Sequence, residues 1–253
     1  MIPKIIHYCW LSGDPIPSNL QECMKSWKEK LPDYEFILWN FDRFDINSSL
    51  WVKQAFENKK YAFAADYIRL YAVYNYGGFY MDMDIEVLKS FNDLLDKDLA
   101  LAYENDKGGI EAGCFGAEKN HPIIKNCLEY YTDRSFIKSD GSFDILPLPR
   151  IMAKYCNNSD LDINDMFFFT CKSFETGIIT TKPYTYTIHH FAGSWLSDGD
   201  CKRSKFRQKL IQKAGNSILT KIIYKTFNFV SEAKEFGFQN TVQKYIDKIR
   251  KHI

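Results

Sequence analysis

The sequence has no C-x-x-C pair, no apolar run of membrane length and only five histidines, and each shortage closes off a class of function. Its seven cysteines stand at 9, 23, 114, 127, 156, 171 and 201, an odd number without metal-ligand spacing. A disulfide framework and a structural zinc site are set aside, and free thiols in a reducing compartment are expected. No stretch approaches the roughly 20 apolar residues that span a bilayer. The opening Met1-Ile2-Pro3-Lys4-Ile5-Ile6 is too short an apolar run for a signal peptide and is followed by His7. The expected location is therefore cytoplasmic. Five histidines are few for the ligand-rich clusters of two-metal hydrolases. Zinc-finger, RNA-recognition and interleaved aromatic–basic patterns are missing, so nucleic acid is not an expected partner. No internal repeat or low-complexity linker interrupts the chain.

What is present is a chain of 253 residues, 45% hydrophobic and 16% aromatic, enough for one well-filled domain with an appendage. Net charge is only +1, but it is unevenly spread: residues 202–253 carry thirteen Lys/Arg against three Asp/Glu, leaving residues 1–201 at −9. The division expected is a catalytic domain over 1–201 and a basic, amphipathic, helical C-terminal extension over 202–253. In that extension Ile218, Ile222, Ile223 and Val230 fall near one helix face.

Ile5 to Trp10 reads as a buried strand, Ser18 to Lys30 as a helix capped by Ser18, and Tyr34 to Trp39 as a second strand. A strand, helix and strand within about 35 residues form a βαβ unit and predict a parallel sheet. Helices are expected over 49–60 and 62–75, with Gly77-Gly78 as the positive-φ turn behind the second. Phe79 to Val87 is a strand broken near two aspartates. Strands follow at 99–103, 112–117, 165–170 and 184–190, and a helix starts at Pro122 with Asn120 as a candidate cap.

The chain is organised around Asn75-Tyr76-Gly77-Gly78-Phe79-Tyr80-Met81-Asp82-Met83-Asp84. In extended backbone Asp82 and Asp84 point to one side and Met83 to the other. Two adjacent carboxylates repel, so a cation between them is expected, and carboxylate oxygens suit a hard divalent ion that keeps positions open for phosphates. The plain alternative is a strand end with two solvated acids. Asp66 and Arg69 lie at i and i+3 on the preceding helix, either as a surface ion pair or at the mouth of the site. Trp10 ends the first strand, at the sheet edge where α/β folds bind ligands, and could stack on a base or fill the core. In His189-His190 adjacent side chains point to opposite faces, so at most one is a metal ligand.

Ile2 to Trp10, Ala65-Asp66-x-x-Arg69, Tyr76 to Asp84 and His189-His190-x-x-x-Ser194-Trp195 together resemble the DxD-containing sugar transferases of glycosyltransferase family 32, with the glucosylating domains of clostridial toxins as more distant relatives. The resemblance implies a GT-A fold, a Rossmann-like α/β/α sandwich with a mostly parallel central sheet. It implies a nucleotide-diphosphate sugar donor, UDP-linked by preference, a Mn2+ or Mg2+ cofactor and retention at the anomeric carbon. Tyr8 and Trp10 would hold the base, and Asp66 and Arg69 the donor sugar. Asp82 would sit between ribose and metal, and Asp84 would ligate the metal. His189 or His190, with Ser194 and Trp195, would close over the diphosphate. The acceptor implied is a saccharide or lipid-linked saccharide in bacterial capsule or surface polysaccharide synthesis.

The chemistry agrees, since a leaving nucleoside diphosphate needs its charge neutralised and the sugar passes through an oxocarbenium-like state. A carboxylate or amide would stabilise that state, with Glu111, Glu104 and Asn105 as candidates. The basic tail suits an anionic membrane, at the inner face of the cell membrane as a peripheral protein, or else packs with a solvated face. The competing activity is a metal-dependent hydrolase of nucleotide sugars or phosphoesters.

Overall fold

In the computed structural model the chain is described over residues 1–156, 161–193 and 196–250, the side chain of Ile249 aside. It divides into two units, Met1–Lys172 with Ile179–Trp195, and Ser173–Ile178 with Leu196–Ile253.

The first unit opens with β1 (Ile5–Cys9), α1 (Ser18–Lys30) and β2 (Glu35–Trp39), the expected βαβ unit, with β1 and β2 parallel. α2 (Leu50–Glu57) and α3 (Tyr61–Tyr76) lead into β3 (Gly78–Met81), and a turn separates β3 from β4 (Ile85–Val87). β5 (Leu99–Ala100), β6 (Cys114–Ala117), α4 (Pro122–Glu129), α5 (Leu148–Cys156) and β7 (Thr187–His189) complete it. The main sheet has the order β2-β1-β3-β6-β5. β2, β1 and β3 are mutually parallel, β6 runs against β3, and β5 runs against β6, so four strands share one direction. This is the α/β class with a mostly parallel sheet that the pattern predicts. β4 and β7 form a separate antiparallel pair.

Period-two alternation sends side chains to both faces and builds two cores. Tyr80, Phe115, Ile37 and Trp39 pack under α2 to α5, while Ile6, Phe79, Met81 and Cys114 pack with α1, Phe91 and Phe169. All seven cysteines are free thiols.

The turn before β3 is fixed by contacts that no other residue type fits. Gly77 and Gly78 sit at φ of 68° and 102°, and a Cβ on Gly78 would lie 2.6 Å from the Ile5 carbonyl oxygen. Buried His7 holds the turn from β1. Its Nδ1 accepts from Trp39 Nε1 at 3.1 Å, so Nε2–H donates to the Gly77 carbonyl at 2.8 Å. Burial pulls the His7 pKa down to about 4, which keeps the ring neutral.

Several local expectations fail for identifiable reasons. Ser18 is the first residue of α1, and the cap position is Pro17, which makes no side-chain cap bond. His121, not Asn120, caps α4, its side chain accepting from Ile123 N, while Asn120 takes φ of 64°. Residues 165–170 are turns, not a strand. Asp165 captures the Phe167 N–H, and Met166 O accepts from Thr170 and Cys171, so the apolar run curls.

The second unit contains α6 (Asp198–Ala214), α7 (Ile218–Phe236) and α8 (Phe238–Arg250). Buried Arg203 on α6 pairs with Asp200 at 2.7 Å and with Glu235 of α7 at 2.6 Å, and the Phe206 and Phe227 rings stack at 3.8 Å. Phe229 of α7 packs edge-on against Tyr245 of α8.

Candidate active site

β3 ends at Met81, and Asp82 begins a turn in which its carbonyl accepts from Ile85 N at 3.0 Å. The strand break therefore falls inside the Asp-x-Asp, and the acids still converge. An oxygen of Asp82, an oxygen of Asp84 and a ring nitrogen of His189 lie within 4.8 Å of one another. They gather at the carboxyl edge of the parallel strands, where such sheets bind ligands.

Asp82 is aimed by two donors. Tyr80 Oη donates to Oδ1 at 2.9 Å and Arg69 Nη1 to Oδ2 at 3.1 Å. Arg69 also donates to the Ala112 carbonyl at 2.7 Å, pairs with Asp66 at 3.3 Å and lies 4.6 Å over the Tyr80 ring. Arg69 is 5% exposed and Asp66 9%, so this is no surface ion pair. Burial pushes the Asp66 carboxyl up to about 6 against the opposing pull of Arg69, and it pushes Asp82 up as well.

Asp84 is tied to the segment after β7. Its Oδ2 accepts from Ala192 N at 2.6 Å, and its Oδ1 lies 3.5 Å from His189 Nε2. β7 places His189 opposite Ile85, and Phe191 stacks on the imidazole at 4.0 Å. His190 faces the other way and meets Glu86 at 2.8 Å. Of the two histidines His189 thus faces the cluster, and His190 is turned away from it by strand alternation. Burial alone would lower the His189 pKa. The charges of Glu111 and then Asp84 outweigh burial and push the pKa up to about 10, so a cation entering the cluster takes the place of the proton on Nε2.

Glu111 is corrected in role. Expected to face a sugar, it is fully buried, with His189 Nδ1 at 3.0 Å, Gly113 N at 2.7 Å and Thr170 Oγ1 at 2.6 Å around its oxygens. The other two candidates remain half-buried on the hairpin that Tyr103 and Ile110 close. Asn105 Nδ2 donates to Glu104 at 3.0 Å, and burial, then the Glu111 charge, pushes the Glu104 carboxyl up to about 7. Trp10 follows the last residue of β1, half-buried, with Nε1 donating to Asp14 O at 2.7 Å; Tyr8 packs edge-on against Trp27. Ser194 and Trp195 lie outside the described residues.

The pattern did not point to Tyr80, Gly113, Thr170 or the Ala192 N–H. Tyr80 carried a readable signal, since i and i+2 share a strand face with Asp82. The Gly113 carbonyl accepts from Asp82 N at 2.7 Å, and a Cβ on Gly113 would lie 2.7 Å from His189 Cε1 and 3.0 Å from Asp82 Oδ2. Only a glycine lets these groups close together.

Two carboxylates and an imidazole at this spacing suit a divalent cation: the oxygens match Mg2+ or Mn2+, and the nitrogen favours the softer Mn2+. Each Asp82 oxygen accepts one hydrogen bond and keeps capacity for another partner.

Residues 17–101, which include Asp66, Arg69, Asp82 and Asp84, match the family model described as the glycosyltransferase sugar-binding region containing a DXD motif. The chain is similar to inositol phosphoceramide mannosyltransferase 3 of Schizosaccharomyces pombe, with 31% identity over 49% of this chain and 35% of that protein. It is similar to mannosyl phosphorylinositol ceramide synthase SUR1 of Saccharomyces cerevisiae, with 32% identity over 51% and 34%. The matches span about a third of the length of these relatives. Among solved structures, PaToxG glycosyltransferase aligns over 61% of this chain and 67% of that one, with 18% identity and a TM-score of 0.46. The match over residues 17–101 covers about a third of the chain and includes the DXD motif, here Asp82-Met83-Asp84.

Proposed function

We propose that this chain is a retaining, metal-dependent glycosyltransferase that moves a sugar from a nucleotide-diphosphate donor, UDP-linked by preference, to a saccharide or lipid-linked saccharide acceptor. The carrying observation is the convergence of Asp82, Asp84 and His189 beside the buried Arg69. Asp82, Asp84 and His189 Nε2 would hold Mn2+ or Mg2+, which when bound neutralises the departing diphosphate. Arg69 and Tyr80 fix the Asp82 carboxylate, and Ala192 N fixes that of Asp84, so the ligands need little rearrangement. Asp66, beside Arg69, would accept from donor-sugar hydroxyls. Trp10, at the same sheet edge, would stack on the base. Glu104 and Asn105 would face the oxocarbenium-like state, in place of the buried Glu111.

The names of the yeast relatives describe mannosyl transfer to inositol phosphoceramide, which supports a lipid-borne acceptor and a mannosyl donor as an alternative to a UDP-sugar. A surface polysaccharide role rests on the family resemblance. The second unit supports an anionic membrane as partner. Leu219, Ile222, Ile223 and Val230 of α7 are exposed along one stripe, whereas Thr220 and Glu232 are the buried residues of that helix. From Cys201 to Ser231 there are eight Lys/Arg and no Asp/Glu. No helix among the described residues is long and apolar enough to cross a membrane.

The test is a panel of UDP- and GDP-sugars with Mn2+, with and without saccharide and lipid-linked acceptors, read by product. A new glycoside supports a transferase. Free sugar alone, with every acceptor, assigns the site to hydrolysis instead.

A further inference from the structure

A carboxylate with no exposed surface is costly to bury unless every oxygen is paired, so Glu111 invites the question of what it does. Its Oε1 accepts from Gly113 N at 2.7 Å, and its Oε2 accepts from Thr170 Oγ1 at 2.6 Å. Both oxygens then face His189 Nδ1, at 3.0 and 3.2 Å. An ionised carboxylate only accepts, so the proton between them sits on Nδ1. That leaves Nε2 as the nitrogen turned toward Asp84 Oδ1, 3.5 Å away. The ring is also held from its backbone, where His189 N donates to Thr170 O at 3.0 Å, and by the Phe191 stack. Thr170 thus grips the histidine twice, once through its carbonyl and once through Glu111.

We propose that Glu111, supported by Thr170, is a positioning residue that fixes the tautomer and orientation of His189, so that the metal site is complete before any nucleotide arrives. The inference rests on reading Asp82, Asp84 and His189 as a metal site. It replaces a C-terminal ligand delivered by loop closure with one built into β7. Carboxylates behind metal-bound imidazoles act in this way by locking the ring and raising its basicity.

The test titrates Mn2+ alone into the full-length protein and follows free Mn2+ by electron paramagnetic resonance. The wild type is expected to bind without nucleotide. Glu111→Gln should weaken Mn2+ by about 10- to 100-fold. Its 1H–15N spectrum should lose the Nδ1–H pattern of His189. Adding uridine diphosphate should shrink the loss, because phosphate oxygens supply ligands that do not depend on the ring; general damage to the fold would weaken both conditions alike. Thr170→Val should move Mn2+ affinity the same way by less, and it decides the matter if Glu111→Gln does not fold. Folded variants that bind Mn2+ within about twofold of wild type, with the His189 tautomer unchanged, overturn the role of Glu111. A wild type that binds no Mn2+ under either condition overturns the metal reading itself.

Discussion

Replacing Arg69 by Met keeps most of the apolar stem and removes the one cation seated between Asp66 and Asp82. Asp82 loses a charged donor, the Ala112 carbonyl loses its 2.7 Å partner, and Asp66 loses its counter-charge while buried. Breaking a buried pair from one side costs about 3–5 kcal/mol, against about 0–1 kcal/mol for an exposed pair. The lower end is expected, because the Asp82 side chain is 29% exposed and water can partly replace the guanidinium. For a chain of this size 3 kcal/mol corresponds to a fall in Tm of roughly 6–12 °C. The cost should also depend on pH. With Arg69 present, burial already raises Asp66 to about 6; without it, the acid takes up a proton still more readily. Protonation relieves the unpaired charge, so the deficit should be largest at pH 8 and smaller at pH 5. Urea denaturation of both proteins in chelator, at the two pH values, measures it. A deficit below about 1 kcal/mol, or one unchanged with pH, would refute the reasoning.

His7 gives a second pH-linked prediction. Its folded pKa, about 4, lies below the unfolded value near 6.5, so its contribution is full above pH 6.5 and is lost as pH falls through 4. The stability gap between wild type and His7→Gln should shrink by about 3 kcal/mol between pH 7.5 and 4, read by the same urea assay; a constant gap contradicts a neutral His7 clamp. For α7, Ile222→Glu/Ile223→Glu in the full-length chain should abolish sedimentation with vesicles containing phosphatidylglycerol while leaving neutral vesicles unaffected. Equal recovery of wild type and variant in the supernatant would end the membrane proposal.

Much of this arrangement was legible in the residues because two periods govern it. Alternation separated His189 from His190, and the βαβ spacing predicted the parallel strands, whereas Asp82 and Asp84 converge through a turn and not through the extended strand expected. Alternation is local, so it says nothing about depth. Asp66 and Arg69 read as well as a surface pair as they do buried, and only the burial of α3 against the sheet, Tyr80 and Ala112 distinguishes them. Glu111 failed for the same reason, since its partners Thr170 and His189 are 59 and 78 residues away. Residues 165–170 were misread because β-prone Phe167, Phe168 and Phe169 outweighed the turn chemistry of Asp165. In the tail the stripe of Ile and Val was visible, but not that α7 would bury Thr220 and Glu232 on its other side.

The most direct test of the central claim is sugar transfer by Asp84→Ala, measured with Mn2+ and the donor the wild type uses. The substitution removes one carboxylate of the cluster and leaves the Arg69–Asp82 pair in place. The expected result is a protein with wild-type circular dichroism, weakened Mn2+ binding and transfer reduced to background. A folded Asp84→Ala protein that transfers sugar at the wild-type rate would contradict the account.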